Sequence, residues 1–206
     1  MSPPDPLVLN EADVPPEPLT LFTQWLEAAA QAQLPEPGAM TLATATPDGT
    51  PSARMVLLRG FDERGLVFYT NYESRKAAEL DANPQAALVL FWSPLHRQIR
   101  VEGSVEKISE AESDAYFAGR PLGNRLGAVA SPQSAVIAGR RVLEARVTEL
   151  LQLFPDGDVP RPEEWGGYRV IPQMYEFWQG RESRLHDRLR YRLVEGKSWF
   201  LERLAP

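Results

Sequence analysis

The chain of 206 residues has no cysteine and only two histidines, His96 and His186. The first absence excludes a disulfide framework, thiol catalysis and cysteine-ligated metals. The second leaves too few imidazoles for a multi-histidine centre within one chain, so no metal is expected. No run reaches the roughly 18 apolar residues that a membrane-spanning helix needs. The start, Met1 to Pro6, lacks the basic and apolar regions of a secretory signal, which makes the cytoplasm the expected compartment. A basic excess is missing too. Lysine and arginine total 22 against 28 acidic residues, a formal charge of −6, which argues against a nucleic-acid partner. There is no G-x-G-x-x-G after a strand, no G-x-x-x-x-G-K-[ST] and no G-x-S-x-G. Dinucleotide, P-loop and serine-hydrolase readings therefore lose their usual support.

What is present is ordinary for a globular protein: 43% hydrophobic and 24% charged residues. The length suits one domain. Residues 1–17, Pro-rich and acidic, are expected to be flexible, and residues 18–206 to form the domain. Pro18 opens a helix whose Phe22, Trp25, Leu26 and Ala29 make one apolar stripe, ended by Pro35-Glu36-Pro37-Gly38. Strands are expected over Met40 to Thr46, Ala53 to Phe61 and Leu66 to Asn71, joined by short turns that imply antiparallel hairpins. Ser74 is placed to cap a short helix from Arg75 to Asn83. Ala86 to Trp92, nearly all apolar, reads as a strand buried on both faces. Gln98 to Glu106 alternates, with Ile99, Val101 and Val105 on one side. Ser109 and Glu112 form a capping box for a helix to about Arg120. A helical turn is expected over Gly123 to Ala130 and a helix over Gly139 to Phe154. The last strands are Tyr168 to Trp178, Arg188 to Val194 and Ser198 to Leu204. Antiparallel strands interrupted by helices suit an α+β, mainly β, barrel-like sheet better than a doubly wound parallel one.

The chemistry-bearing stretch runs from Glu176 to Arg188. It holds His186, Trp178 and a glycine, Gly180, that permits a tight turn, and five arginines fall between Arg181 and Arg192. Cationic groups beside an aromatic ring suit a planar anionic ligand; the plain alternative is a solvated turn. Ser74-Arg75-Lys76 lies at a helix start, where free N–H groups already favour an anion. Tyr116 and Arg120, four apart on one helix, share a face that can hold a phosphate, or pack on each other. Arg54 and Arg59, five apart, face opposite ways in a regular strand and reach one ligand only across a bulge or a subunit boundary. His96 reads as a turn residue without a role.

Taken together, Arg54-Met55-Val56-Leu57-Leu58, Phe68-Tyr69-Thr70-Asn71, Ser74-Arg75-Lys76, Trp165-Gly166-Gly167, Glu176-Phe177-Trp178-Gln179-Gly180 and Arg184-Leu185-His186-Asp187-Arg188 resemble the pyridoxine (pyridoxamine) 5′-phosphate oxidase family, from about Pro18 to Pro206. The resemblance implies an FMN-binding split β-barrel with flanking helices, working as a homodimer with flavin between the subunits. It implies FMN contacts from Arg54, Met55, Val56, Leu57, Leu58, Arg59, Tyr69, Thr70, Arg75, Lys76, Gln98, Gln133, Ser134, Trp178 and Arg188. The substrate phosphate falls to Arg59, Tyr116, Arg120 and Asn124, and the ring to Arg184, Leu185 and His186, of which Arg184 and His186 are the catalytic pair. The implied reaction passes a hydride from C4′ of pyridoxine or pyridoxamine 5′-phosphate to flavin N5. Pyridoxal 5′-phosphate is the product, and O2 is reduced to H2O2.

Three departures stand out. The family usually has Lys where this chain has Arg59, and often Ser where it has Asn124. Some members have a basic, Tyr-containing leading segment that closes over substrate, whereas residues 1–17 contain no Arg, Lys or Tyr. Two competing readings keep the barrel: a related oxidase of phenazine-type biosynthesis, and a flavin-binding protein without turnover.

Overall fold

Pro suits the first turn of a helix, where its missing N–H would have no partner anyway. The computed structural model describes residues 8–195 and 198–206, and its first helix, α1, spans Pro18–Gln31. Of the expected stripe, Phe22, Trp25 and Ala29 are buried and Leu26 is half-buried; Phe22 meets Phe61 edge-on at 5.2 Å and Trp25 meets Phe177 at 5.3 Å. The Arg97 guanidinium lies 4.6 Å over the Trp25 ring, and its Nε donates to Gln179 Oε1 at 2.9 Å.

The strands are β1 (Ala39–Ala45), β2 (Pro51–Leu57), β3 (Gly60–Asp62), β4 (Gly65–Asn71), β5 (Gln85–Trp92), β6 (Arg97–Lys107), β7 (Trp165–Gln179), β8 (Asp187–Val194) and β9 (Ser198–Arg203). Helix α2 (Arg75–Ala82) follows β4, and α3 (Glu110–Ala118), α4 (Leu122–Ala130) and α5 (Arg140–Leu153) separate β6 from β7. All pairings are antiparallel, in the order β2-β1-β5-β6-β7-β4-β3, with β8 on β7 and β9 on β8. The two ends of that order, β2 and β3, are consecutive in the chain, so the sheet curls back on itself into the split barrel. Leu42, Leu66, Leu88, Leu90, Ile99 and Phe177 fill its interior at 0% exposure.

Strand β7 organises the site. Its first half pairs with β4, from Asn71↔Trp165 to Leu66↔Val170. Its second half pairs with β8, from Met174↔Arg192 to Gln179↔Asp187. Strand β6 runs beside both, with a register shift between Glu102 and Gly103. Gly103 is required there, because a Cβ would lie 2.0 Å from the Ile171 carbonyl oxygen.

Several expectations need correction. Ala53 to Phe61 is not one strand: pairing changes at Leu58 and Arg59, whose N–H groups donate to Gly38 O and Val67 O on opposite ends of the sheet. Strand β5 is buried on one face only; Ala86, Leu88, Leu90 and Trp92 point inward, while Phe91 is 57% exposed. Ser74 occupies the N-cap of α2 but makes no cap bond, because its hydroxyl accepts from Lys76 Nζ. Of the apolar side of α5, only Leu150 is buried, in a small separate cluster with Leu126, Ala130 and Val159. Within the segment expected to be flexible, residues 1–7 lie outside the described residues. Residues 8–17 pack down instead, with Leu9 buried, Val14 against the core and Pro15 O accepting from the Tyr191 hydroxyl at 2.7 Å. The capping box of α3 forms as expected.

Candidate functional site

A lysine ammonium is costly to bury, so its surroundings are informative. Lys76, on the first turn of α2, is 8% exposed. Its Nζ donates to Gln133 Oε1 at 2.8 Å and to Thr70 Oγ1 and Ser74 Oγ at 3.0 Å. Among the described residues no carboxylate pairs with it. Burial first, and then Arg54, push its pKa down to about 8, against a smaller opposing pull from Glu79. A charge held among neutral oxygens at a helix start leaves room for an anion.

The neighbouring arginines are already anchored. Glu79, 5% exposed, accepts from Arg54 Nη2 at 3.1 Å and from Arg75 Nε at 2.8 Å. Thr44 and Ser52 also donate to it. Burial alone would raise this carboxyl, but bonds from Ser52, Thr44, Arg75 and Arg54 hold it at about 2. The Arg75 N–H donates to Ser134 Oγ at 3.2 Å. Arg54, Thr70, Arg75, Lys76, Gln133 and Ser134 therefore form one linked group.

A cavity of about 650 Å³ adjoins it, lined by Leu57, Arg59, Tyr116, Arg120 and Asn124 together with Tyr69, Thr70 and Gln133. Tyr69 and Tyr116 stack at 3.8 Å, nearly parallel, with Trp165 stacked on Tyr69 at 5.4 Å. Arg120 lies 4.6 Å over Trp165. Its buried Nη1 has no hydrogen-bond partner among the described residues, and burial first, then Arg59, lowers its pKa. An orphaned buried guanidinium N–H beside a second arginine fits an anionic group. Of the run before Arg59, Val56 and Leu58 pack against the core, while Met55 is 62% exposed.

The remaining expected residues gather elsewhere. Gln98, Trp178 and Arg188 are register partners across β6, β7 and β8. Glu176, 3% exposed, fixes Arg188 through Nε at 2.9 Å and Nη2 at 2.8 Å, and holds Arg100 at 3.1 Å. After β7, the Gly180 N–H donates to His96 O at 2.7 Å. A Cβ at Gly180 would lie 2.9 Å from His96 Cβ, so this glycine serves close approach, not the turn expected of it. The His186 ring lies 4.7 Å from Trp178. His186 Nδ1 accepts from the Arg181 N–H at 3.0 Å, so in the neutral ring the proton sits on Nε2. A second cavity of about 730 Å³ is lined by His96, Trp178, Gly180, Leu185 and His186, among others. Arg184 is exposed in the same loop, with φ 60°.

The two groups do not meet within one chain. Tyr69 pairs with Gly167 near the start of β7, and Trp178 lies on the order of 35 Å further along that strand. Among the described residues, none lines both large cavities. The expectation that Arg184 and His186 lie where Arg75 and Lys76 gather is thus not met inside a single subunit. The sequence reading also missed Glu79, Glu176 and the wall made by His96. The spacing of Arg75 and Glu79, four apart, was the available signal for the first.

The model of the family described as pyridoxamine 5′-phosphate oxidase matches residues 26–154. That of the pyridoxine 5′-phosphate oxidase C-terminal dimerisation region matches residues 165–206. A pyridoxine/pyridoxamine 5′-phosphate oxidase from Trichormus variabilis is 59% identical over 96% of this chain and 92% of its own. PhzG from Burkholderia lata, solved with tetrahydrophenazine-1-carboxylic acid, is 38% identical with TM-score 0.90, over 97% of this chain and 98% of its own. A pyridoxamine 5′-phosphate oxidase-related, FMN-binding protein from Nostoc punctiforme is 20% identical with TM-score 0.74, over 94% of this chain and all of its own, and shares the fold.

Proposed function

The chain belongs to the pyridoxine/pyridoxamine 5′-phosphate oxidase family and is an FMN-dependent oxidase of those two phosphates; from that premise we infer that its active site is assembled from opposite ends of two copies of the chain. The observation that carries this is the separation of the two residue groups along β7. Two further features support it. Trp178, Arg184, His186 and Arg188 of the second group lie within the stretch matched by the dimerisation-region model. Large apolar side chains stand exposed on the sheet, among them Phe91, which is paired with Gln98, and Met55, as a face covered by a second copy would present them.

In this arrangement Lys76, Arg75, Arg54 and the Ser134 hydroxyl hold the FMN phosphate, and the partner's Trp178, Gln98 and Arg188 complete the flavin site. FMN held there would supply the hydride acceptor and the redox link to O2. Arg59, Tyr116, Arg120 and Asn124 hold the substrate phosphate, which fixes C4′ in a reactive pose. Arg59 offers a planar fork in place of the usual ammonium and so grips two phosphate oxygens at once. The partner's Arg184 steadies charge developing on the C4′ substituent, and the partner's His186 orients the ring through Nε2–H. No helix of the described residues is long and apolar enough to cross a membrane. The cytoplasm is the proposed compartment.

The test is peroxide release from pyridoxine 5′-phosphate and pyridoxamine 5′-phosphate. Wild-type enzyme turns over both, and Arg184→Ala or His186→Ala lowers turnover by about 10²-fold with bound FMN retained. Flavin loss in step with activity loss contradicts the roles of Arg184 and His186. Turnover of a reduced phenazine carboxylic acid without turnover of either phosphate would favour the phenazine-type reading, which the phosphate-fitting Arg59–Arg120 pair disfavours.

A further inference from the structure

The loop bearing Arg184 and His186 has an unfavourable backbone. Ser183 (φ 53°) and Arg184 (φ 60°) are consecutive non-glycine residues in the left-handed region. Such a conformation persists only where the surroundings over-determine it. Within the loop, Ser183, Arg184 and Leu185 are exposed. Its firm end is Asp187, which directly follows His186 and opens β8.

Both oxygens of Asp187 are held from outside the loop. Oδ1 accepts from Arg203 Nη1 at 2.8 Å. Oδ2 accepts from the Leu9 N–H at 3.3 Å, and Arg181 Nε stands 3.8 Å from it. Arg203 is fixed in turn by the amino-terminal segment. Its Nε and Nη2 each lie 2.8 Å from an oxygen of Glu11, and Nη2 also donates to Leu9 O at 2.8 Å. The Arg203–Glu11 pair is a two-pronged fork, the geometry that orients as well as attracts. Bonding to Arg203 holds the Glu11 carboxyl down at about 2, so the pair stays ionised across the neutral range.

We propose that Glu11, acting through Arg203 and Asp187, is a positioning residue that holds the strained 181–187 loop in the conformation presenting Arg184 and His186 to substrate. The segment that shows no sequence features of a lid is thereby a brace. The inference rests on the roles given to Arg184 and His186 above. Glu11 itself touches neither substrate nor cofactor, and its side chain is 47% exposed, so its replacement leaves the core intact.

The test compares FMN-loaded wild type with Glu11→Gln and Arg203→Lys, each also combined with Arg184→Ala. The readouts are kcat and KM for pyridoxamine 5′-phosphate, FMN affinity, the thermal midpoint, and hydrogen exchange of residues 181–187. Glu11→Gln is expected to lower kcat about tenfold, since small misplacements of reacting groups are costly, with KM and FMN affinity within about twofold. Exchange of the 181–187 amides is expected to rise about tenfold at an unchanged midpoint. In the Arg184→Ala background Glu11→Gln is expected to cost less than it does in wild type, because part of its effect passes through Arg184 and the rest through His186. Arg203→Lys, with charge but no fork, should behave like Glu11→Gln. An unchanged kcat and loop exchange in both brace variants, or an equal loss with and without Arg184, overturns the proposal. Wild-type turnover in Arg184→Ala alone would instead overturn the role of Arg184.

Discussion

Lys76 illustrates how far single residues can be read before a structure exists. Its place beside Arg75 at a helix start marks it as a candidate anion ligand. What the sequence hides is the price of that role: the ammonium is buried among neutral oxygens, with its pKa lowered to about 8. The consequence is pH-dependent cofactor binding. The charged form binds phosphate, and the empty site loses that charge as pH rises through 8. FMN affinity, followed by quenching of flavin fluorescence, should therefore be flat between about pH 7 and 8 and weaken about tenfold per unit above. Lys76→Met should bind more weakly and lose the dependence. A wild-type affinity constant up to pH 9.5 would contradict the assigned charge state. Glu79 was harder to foresee, because a carboxylate beside a phosphate site looks adverse. It becomes intelligible once Arg54 and Arg75 are seen to converge on its two oxygens.

At the scale of elements, features set by local rules were legible. The apolar stripe of α1, the Ser109–Glu112 capping box and the alternation of β6 each depend on residues within a turn or two of one another. What failed depends on distant neighbours. The break between β2 and β3 exists because Leu58 and Arg59 bond to different strands, and it also places Arg54 against Glu79 and Arg59 in the cavity beside Tyr116. The one-sided burial of β5 depends likewise on what covers its outer face. Gly103 tests the register of the long β6–β7 pair. A Cβ there meets backbone, which cannot swing aside, so Gly103→Ala should destabilise the fold by about 3 kcal/mol. In urea this appears as a lower midpoint with an unchanged slope. A midpoint within error of wild type would contradict the close packing at the bulge.

For the whole molecule, the family and the barrel were readable from ordered motifs, but the division of the expected site residues between the two ends of the sheet was not. Motif order says nothing about which end of a strand a residue occupies. Strand β7 is long enough to place Trp165 in one cavity and Trp178 in another, and β6 and β8 carry Gln98 and Arg188 to the Trp178 end. In the proposed arrangement a functional site requires two subunits, each lending one end to the other. Complementation between two disabled chains tests this most directly. Lys76→Met disables one end and Arg184→Ala the other, and each alone should have little activity. Co-expressed chains that pair at random form hybrids in half of the dimers, and each hybrid regains one intact site. The mixture should therefore recover about a quarter of wild-type peroxide release with pyridoxamine 5′-phosphate; activity no higher than that of the two parents would contradict a shared site.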